Sequence, residues 1–254
     1  MKKIAFISGA TAGIGEAAAI KFAENNFDII ITGRRPDRLK ALSESLKKKF
    51  KSSVITLNFD VRNFRVATAA INSLPEKWKK IDVLVNNAGL AAGFGTIDDG
   101  NPEDWEAMID TNIKGLLYIS KLIFPFMIKR KKGHIINIGS IAGKEVYLKG
   151  NVYCATKFAV DALTKAMRAD LVQHNIKVTG ICPGAAETEF SLVRYKGDKE
   201  KAKSVYDGFK PLSAGDIAEA IWFTASRPAH VTINDLVIMP TAQADTKNII
   251  KKSK

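Results

Sequence analysis

Cysteine and histidine are scarce in this 254-residue chain: Cys154 and Cys182 are the only thiols, and His134, His174 and His230 are scattered. Two cysteines are too few for a disulfide scaffold or a thiolate metal centre, so the expectation is a reducing cytoplasm and no metal. Long apolar runs are lacking too. The longest, Leu116–Ile128, is broken by Lys121 and Pro125 and falls short of the roughly 20 residues needed to cross a bilayer. Lys2 and Lys3 before Ile4–Ile7 have the charge order of a secretory signal, but the apolar stretch is too short and runs straight into glycines, so it reads as a first strand. Acidic residues are in deficit, 26 against 39 Lys plus Arg, giving a formal charge of +13. That excess raises anionic partners: nucleotide cofactors, acidic substrates, acidic carrier proteins or nucleic acid. The runs Lys47–Lys49 and Lys129–Lys132 and the tail Lys251, Lys252 and Lys254 suit helix ends and a fraying terminus. No aromatic-interleaved basic motif accompanies them, so nucleic acid is not expected as a partner.

What is present is a foldable chain. Hydrophobic residues at 46% and charged residues at 26% exclude disordered and collagen-like classes. The length suffices for one large core, so residues 1–254 are expected to form a single domain. Seven short β-rich runs begin near Ile4, Asp28, Val54, Ile81, His134, Lys177 and Leu236, and most are continuously apolar, as strands covered on both faces must be. Helical patterns span Gly15–Glu24, Pro36–Phe50, Phe64–Ser73, Asn112–Arg130, Tyr153–His174 and Gly215–Ala225. Such alternation predicts an α/β fold of Rossmann type: a doubly wound, parallel, seven-stranded sheet with helices on both faces. Pro183–Lys210 reads as the one long irregular stretch, placed to act as a lid beyond the strand ends. A basic tail is expected over about 245–254.

After the first strand comes Ser8-Gly9-Ala10-Thr11-Ala12-Gly13-Ile14-Gly15 at the mouth of a helix. Glycines there permit close backbone approach, and the exposed N–H groups and positive dipole end attract a pyrophosphate. The second strand ends on Gly33-Arg34-Arg35, where an NAD site would place an acidic residue. Guanidinium hydrogen bonds of about 1.5–3 kcal/mol to a 2'-phosphate would favour NADP by roughly ten- to a hundredfold. Asp60 and Val61 suit an adenine-side contact, and the small residues of Asn87-Ala88-Gly89 would let the backbone touch a cofactor. Ser140 follows the fifth strand, and Tyr153 and Lys157 share one face of the next helix at i, i+4 spacing. An ammonium ~4 Å from the phenol, at an effective dielectric of about 20, supplies about 4 kcal/mol, enough with an oxidised nicotinamide's charge to poise a tyrosine near neutrality. Tyr153 is thus a candidate general acid and base.

Together these pieces resemble the short-chain dehydrogenase/reductase family over nearly the whole chain. The matching residues are Gly9, Gly13, Gly15, Asp60, Asn87, Ala88, Gly89, Asn112, Ser140, Tyr153, Lys157, Pro183 and Gly184, with Ser8 standing where the family usually has Thr. The resemblance implies that Tyr153 exchanges a proton with the substrate oxygen and that Ser140 hydrogen-bonds it. It implies that Lys157 holds the nicotinamide ribose while lowering the tyrosine's pKa, that Asn112 positions a water, and that Pro183, Gly184 and Thr188 contact the cofactor. A closer resemblance is to NADP-dependent 3-hydroxy acid dehydrogenases, which act on serine, allo-threonine and related acids. It rests on Gly33–Arg35, Asp104-Trp105, Ile109–Asn112, His134–Ser140, Gly150–Tyr153, Thr188–Asp198 and Pro228–Val231. A carboxylate substrate needs a cation, and Arg194 in the lid, with its bidentate fork, is the candidate. The expected partner is a small molecule, with no membrane, and the family implies a homotetramer. Two other readings stand beside this one: a reductase of 3-oxoacyl thioesters or another small carbonyl, and a nucleotide- or nucleic-acid-binding protein without turnover.

Overall fold

Alternation along each strand sends neighbouring side chains to opposite faces, and here both faces are buried. Ile4 and Phe6 of the first strand join one apolar cluster while Ala5 and Ile7 join another. The computed structural model describes residues 2–252. Its strands are β1 (Ile4–Ile7), β2 (Asp28–Gly33), β3 (Val54–Asn58), β4 (Ile81–Asn86), β5 (Gly133–Ile138), β6 (Ile176–Pro183), β7 (Ala186–Glu187), β8 (Leu212–Ser213) and β9 (Asp235–Ile238). The helices are α1 (Gly13–Glu24), α2 (Pro36–Phe50), α3 (Phe64–Asn72), α4 (Pro102–Ile109), α5 (Leu116–Arg130), α6 (Asn151–Leu171), α7 (Glu189–Arg194), α8 (Lys199–Ser204) and α9 (Ala214–Ala225).

Seven strands form one parallel sheet in the order β3-β2-β1-β4-β5-β6-β9, the single-domain α/β architecture the strand pattern predicts. Helices α3, α5 and α6 cover one face through Ile71, Ile123 and Val160, and α1, α2 and α9 cover the other through Phe22, Leu46 and Ile221. Each such fully buried side chain stabilises the fold by about 1.5–3 kcal/mol. Winding reverses direction between β1 and β4, which opens a crevice at the carboxyl ends of those strands.

Local signals set the helix ends. Pro36 and Pro102 open α2 and α4, side chains of Asn63 and Asn101 cap α3 and α4, and Ser213 with Asp216 forms a reciprocal cap on α9. The lysine runs fall in the last turns of α2 and α5, where cations suit the helix dipole.

Three expectations need correction. The helix expected over Asn112–Arg130 is α5 preceded by a π-wound segment, Asp110–Gly115, which holds Asn112 and leads directly out of α4. Helix α4 itself escaped notice although Asn101-Pro102 is a cap-and-N1 pair. Pro183–Lys210 is not irregular: β7, α7 and α8 lie within it, and β7 pairs with β8 outside the main sheet. The C-terminal segment is also tied back rather than frayed as far as Lys252, which donates its N–H to Gly208 O at 2.8 Å. Lys254, part of the expected tail, lies outside the described residues.

Candidate active site

A cleft of about 670 Å³ opens above the carboxyl ends of β1, β4 and β5. Every residue singled out in the sequence for the cofactor lines it except Gly15, and every one singled out for catalysis or substrate lines it except Asn112.

The nucleotide end begins with the turn after β1. Gly9 and Gly13 adopt φ of +67° and +55°, conformations open to glycine, and a Cβ on Gly9 would come within 2.9 Å of Ala88 Cα. Asn87 braces this turn, its Nδ2 donating to Ser8 O and Gly9 O at 3.0 and 3.1 Å, while Ser8 Oγ accepts from the N–H groups of Asn87 and Ala88. The hydroxyl needed at position 8 is therefore supplied by Ser. Gly15 sits behind the turn, where a Cβ would lie 2.4 Å from Asn87 Nδ2, so its role is helix packing against the turn.

The two arginines after β2 are placed differently. Arg34 is 58% exposed at the cleft mouth, and its nearest carboxylate is Asp60, 3.8 Å from Nη1. Arg35 is already engaged: Nε and Nη2 donate to Thr11 Oγ1 at 3.1 and 3.0 Å, Nη2 to Thr11 O at 3.2 Å, and Nη1 to Glu189 at 2.8 Å. Asp60 is gripped through both oxygens by Arg62 at 2.7–3.1 Å. Partial burial works to raise its pKa, but the hydrogen bonds from Arg62 outweigh that and hold the carboxyl below the usual range.

At the chemical end, Ser140 caps the one-turn segment Ile141–Gly143, its Oγ accepting from Ala142 N at 3.0 Å. Tyr153 and Lys157 face the same way from α6, as their spacing requires, both buried. Lys157 Nζ donates to Ile138 O at 2.9 Å and lies 5.9 Å from the centre of the Tyr153 ring. Burial pushes the ammonium down to about 8. The acidification expected for Tyr153 is not supplied by this surrounding. Burial pushes the phenol above its ordinary value and Tyr147 adds to this, while the Ser140 hydroxyl and the Arg194 charge pull the other way.

Asn112 is fully committed to protein. Its Nδ2 donates to Leu90 O and Thr156 Oγ1, each at 2.9 Å, and its Oδ1 accepts from Leu90 N at 2.8 Å. That side chain sews the segment after Gly89 to the helix carrying Tyr153 and Lys157. Gly89 must stay small: a Cβ there would stand 3.2 Å from Asn112 Oδ1 and 3.8 Å from Lys157 Nζ.

Arg194, at the end of α7, enters the cleft between aromatic rings. Its guanidinium carbon is 4.8, 5.4 and 5.6 Å from the ring centres of Phe94, Tyr147 and Tyr153. Nη1 donates to Tyr147 Oη at 2.7 Å and Nε to Gly93 O at 3.4 Å, while Nη2 has no hydrogen-bond partner among the described residues. A half-buried cation with both Nη2 N–H groups uncommitted beside a phenol is built to receive a planar anion.

Several wall residues were not legible in the sequence. Tyr147 and Phe94 are isolated aromatics in loops, and only the fold brings them to Arg194. Gln243 and Thr246 reach the cleft from the C-terminal segment: Gln243 Oε1 accepts from Ala185 N at 2.8 Å, and Thr246 donates from N and Oγ1 to Glu145, each at 3.0 Å. The pairing of Arg38 with Glu189 is likewise not legible in the sequence, though Arg38 stands in the first turn of α2, three residues after its cap Arg35. Among the described residues no cluster of metal-ligating side chains occurs, and no helix is long and apolar enough to cross a membrane.

NADP-dependent 3-hydroxy acid dehydrogenase YdfG of Salmonella typhi is 48% identical over 242 residues, covering 95% of this chain and 96% of that protein. Sulfoacetaldehyde reductase 2 of Chromohalobacter salexigens is 43% identical over 245 residues, 96% of each chain. Among solved structures, the closed form of serine dehydrogenase complexed with NADP+ superposes with a TM-score of 0.91 at 43% identity, covering 98% of this chain and 100% of that one. The model of the family described as short chain dehydrogenase matches residues 3–198, and the chain belongs to that family.

Proposed function

We propose that the chain is an NADP-dependent oxidoreductase that transfers a hydride between NADP(H) and C3 of a small 3-hydroxy acid of the serine, allo-threonine or 3-hydroxyisobutyrate type. The observation that carries this reading is the guanidinium of Arg194, caged by aromatic rings 5.6 Å or less from its carbon, with Nη2 uncommitted beside Tyr153. A substrate carboxylate on Nη2 would leave a hydroxyl two carbons away near Ser140 and Tyr153.

The cleft suits a dinucleotide: a glycine turn with positive φ opens on the start of α1, and an exposed guanidinium, Arg34, waits at the far end. Bound there, an oxidised nicotinamide supplies the hydride acceptor and a positive charge. Arg34 would read the 2'-phosphate, Val61 and Asp60 would border the adenine, and Asn87–Gly89, Pro183, Gly184 and Thr188 would flank the dinucleotide. Tyr153 Oη takes the proton of the substrate hydroxyl in oxidation and returns it in reduction, with Ser140 Oγ hydrogen-bonded to the same oxygen. The protonated phenol that burial favours is the form that donates in reduction, and the Ser140 hydroxyl and the Arg194 charge favour the phenolate needed for oxidation. Asn112 serves by positioning, through Leu90 and Thr156.

An initial-rate panel tests the reading. NADP reduction with serine or 3-hydroxyisobutyrate should exceed that with uncharged alcohols, and NADPH oxidation with an acetoacetyl thioester should be weak. Preference for the thioester would make the protein a 3-oxoacyl reductase instead. Sulfoacetaldehyde belongs in the panel because its sulfonate, like a 3-oxo acid's carboxylate, stands one carbon from the carbonyl carbon, within the same reach of Arg194. Retention on DNA at ~200 mM salt, with no carbonyl reduction lost on replacing Tyr153, would favour a binding protein. Two free buried cysteines suit a cytoplasmic setting, and the family suggests a homotetramer, which sedimentation would check.

A further inference from the structure

Helix α7 carries a cleft residue at each end. Its first residue, Glu189, meets the arginines of the nucleotide end, and its last, Arg194, stands in the substrate end. Six helical residues span only about 8 Å, so a shift at one end is a shift at the other.

The first end is held by a network. Glu189 Oε2 accepts from Arg35 Nη1 at 2.8 Å and Oε1 from Arg38 Nη1 at 2.5 Å. Arg35 in turn grips Thr11 of the glycine turn, Arg38 Nη1 reaches Thr11 O at 3.4 Å, and Thr188 packs where a Cβ on Gly13 would lie 3.2 Å from Thr188 Cβ. At the other end Arg194 holds Tyr147, and between them Phe190 leans on the Tyr153 ring at 5.5 Å. Both arginines hold Glu189 below the usual carboxylate range, so it is charged throughout the neutral region.

We infer that Glu189, clasped by Arg35 and Arg38, is a positioning residue that fixes α7 as a strut and so sets Arg194 and Phe190 against the reacting group. Arg34 and Arg35 then divide the work: Arg34 is free to read the 2'-phosphate, and Arg35 belongs to the clasp. The consequence is that two side chains remote from the substrate govern its binding, and they do so whichever nicotinamide cofactor is used. The clasp residues are 38–49% exposed, so the effect should weaken as salt rises.

The part concerning substrate rests on the proposed function, and the experiment separates the two. Trypsin nicking after Lys199, Lys201 and Lys203 of α8, with no ligand added, reports release of the lid. Glu189→Gln and Arg38→Gln should each be nicked several times faster than the parent while melting at the same temperature, and Arg38→Lys should be close to the parent. In turnover, Glu189→Gln should raise KM for the 3-hydroxy acid about tenfold, leave kcat within about twofold, and leave KM for an uncharged alcohol unchanged. Nicking at the parental rate in both Gln variants would overturn the strut, as would faster nicking with KM for the acid unmoved. Tighter binding of adenosine 2'-monophosphate by Glu189→Gln with nicking unchanged would make Glu189 a rival of the phosphate and also overturn it. If the parent oxidises no 3-hydroxy acid, the proposed function fails, and the ligand-free nicking still decides the clasp.

Discussion

The two ends of the cleft are built by different means. The nucleotide end is assembled from turns that directly follow β1, β2, β3 and β4, each a few residues from its strand and braced by main-chain partners such as those of Asn87 and Ser8. The substrate end is assembled from side chains far apart in the chain: Arg194 meets Tyr147 at a separation of 47 residues and Gly93 at 101, and Thr246 meets Glu145 at 101. A turn at a strand end is dictated locally, whereas a cage of three rings around a guanidinium exists only once the sheet has placed α6, α7 and the loop after β4. On the proposed reading, the first kind of site fixes the cofactor class and the second selects what reacts.

The largest effect belongs to the group shared by both ends. Tyr153→Phe should cut turnover by about 10²–10⁴, the range for a positioned acid–base group, while NADPH binding followed by fluorescence stays nearly unchanged. Retention of more than about a tenth of the parental rate would contradict the proton-transfer role.

Lys157 comes next, with an effect on stability that has a fixed sign. Its folded pKa of about 8 lies below the ordinary lysine value of 10.5, because burial disfavours the ammonium. Below pH 8 both states are charged and the fold carries the full penalty. Between 8 and 10.5 the unfolded chain binds more protons, so raising the pH stabilises the fold, by up to about 3 kcal/mol across the window. Lys157→Met removes that titration: urea unfolding should show its advantage over the parent largest at pH 7 and shrinking by pH 10.5. A constant difference would place a neutral amine at that position already at pH 7.

A smaller effect separates the arginines of the nucleotide end. Arg34→Gln should raise the dissociation constant for NADPH by about ten- to a hundredfold, the worth of a charge-assisted contact, and leave that for NADH within about twofold. Arg35→Gln should weaken both, since its partners are Thr11 and Glu189 rather than a free ligand site. Equal losses for both cofactors in Arg34→Gln would remove the 2'-phosphate contact.

Legibility in the sequence follows the same division. The seven strands were readable because a sheet covered on both faces demands uninterrupted runs such as Ile135-Ile136, and the glycine turn because Gly9 and Gly13 need positive φ. Tyr153 and Lys157 were readable because a helix converts i, i+4 spacing into one face. The electrostatics were not. Spacing gives neither the 5.9 Å between the Lys157 amine and the Tyr153 ring nor the burial that raises the phenol and lowers the ammonium. Adjacent letters also hid the difference between Arg34 and Arg35, because only the tertiary structure brings Glu189 to one and leaves the other exposed. The interior of Pro183–Lys210 was missed for a related reason: α7 and α8 are six-residue helices whose caps, Thr188 and Asp198, look like ordinary loop residues.

Arg194→Gln assayed on matched substrates decides whether Arg194 makes this cleft a receptor for a carboxylate beside Tyr153. KM for a 3-hydroxy acid should rise about ten- to a hundredfold, as expected for losing a charge-assisted hydrogen bond, with KM for an uncharged alcohol of similar size unchanged. Equal rises for the acid and the alcohol would contradict it.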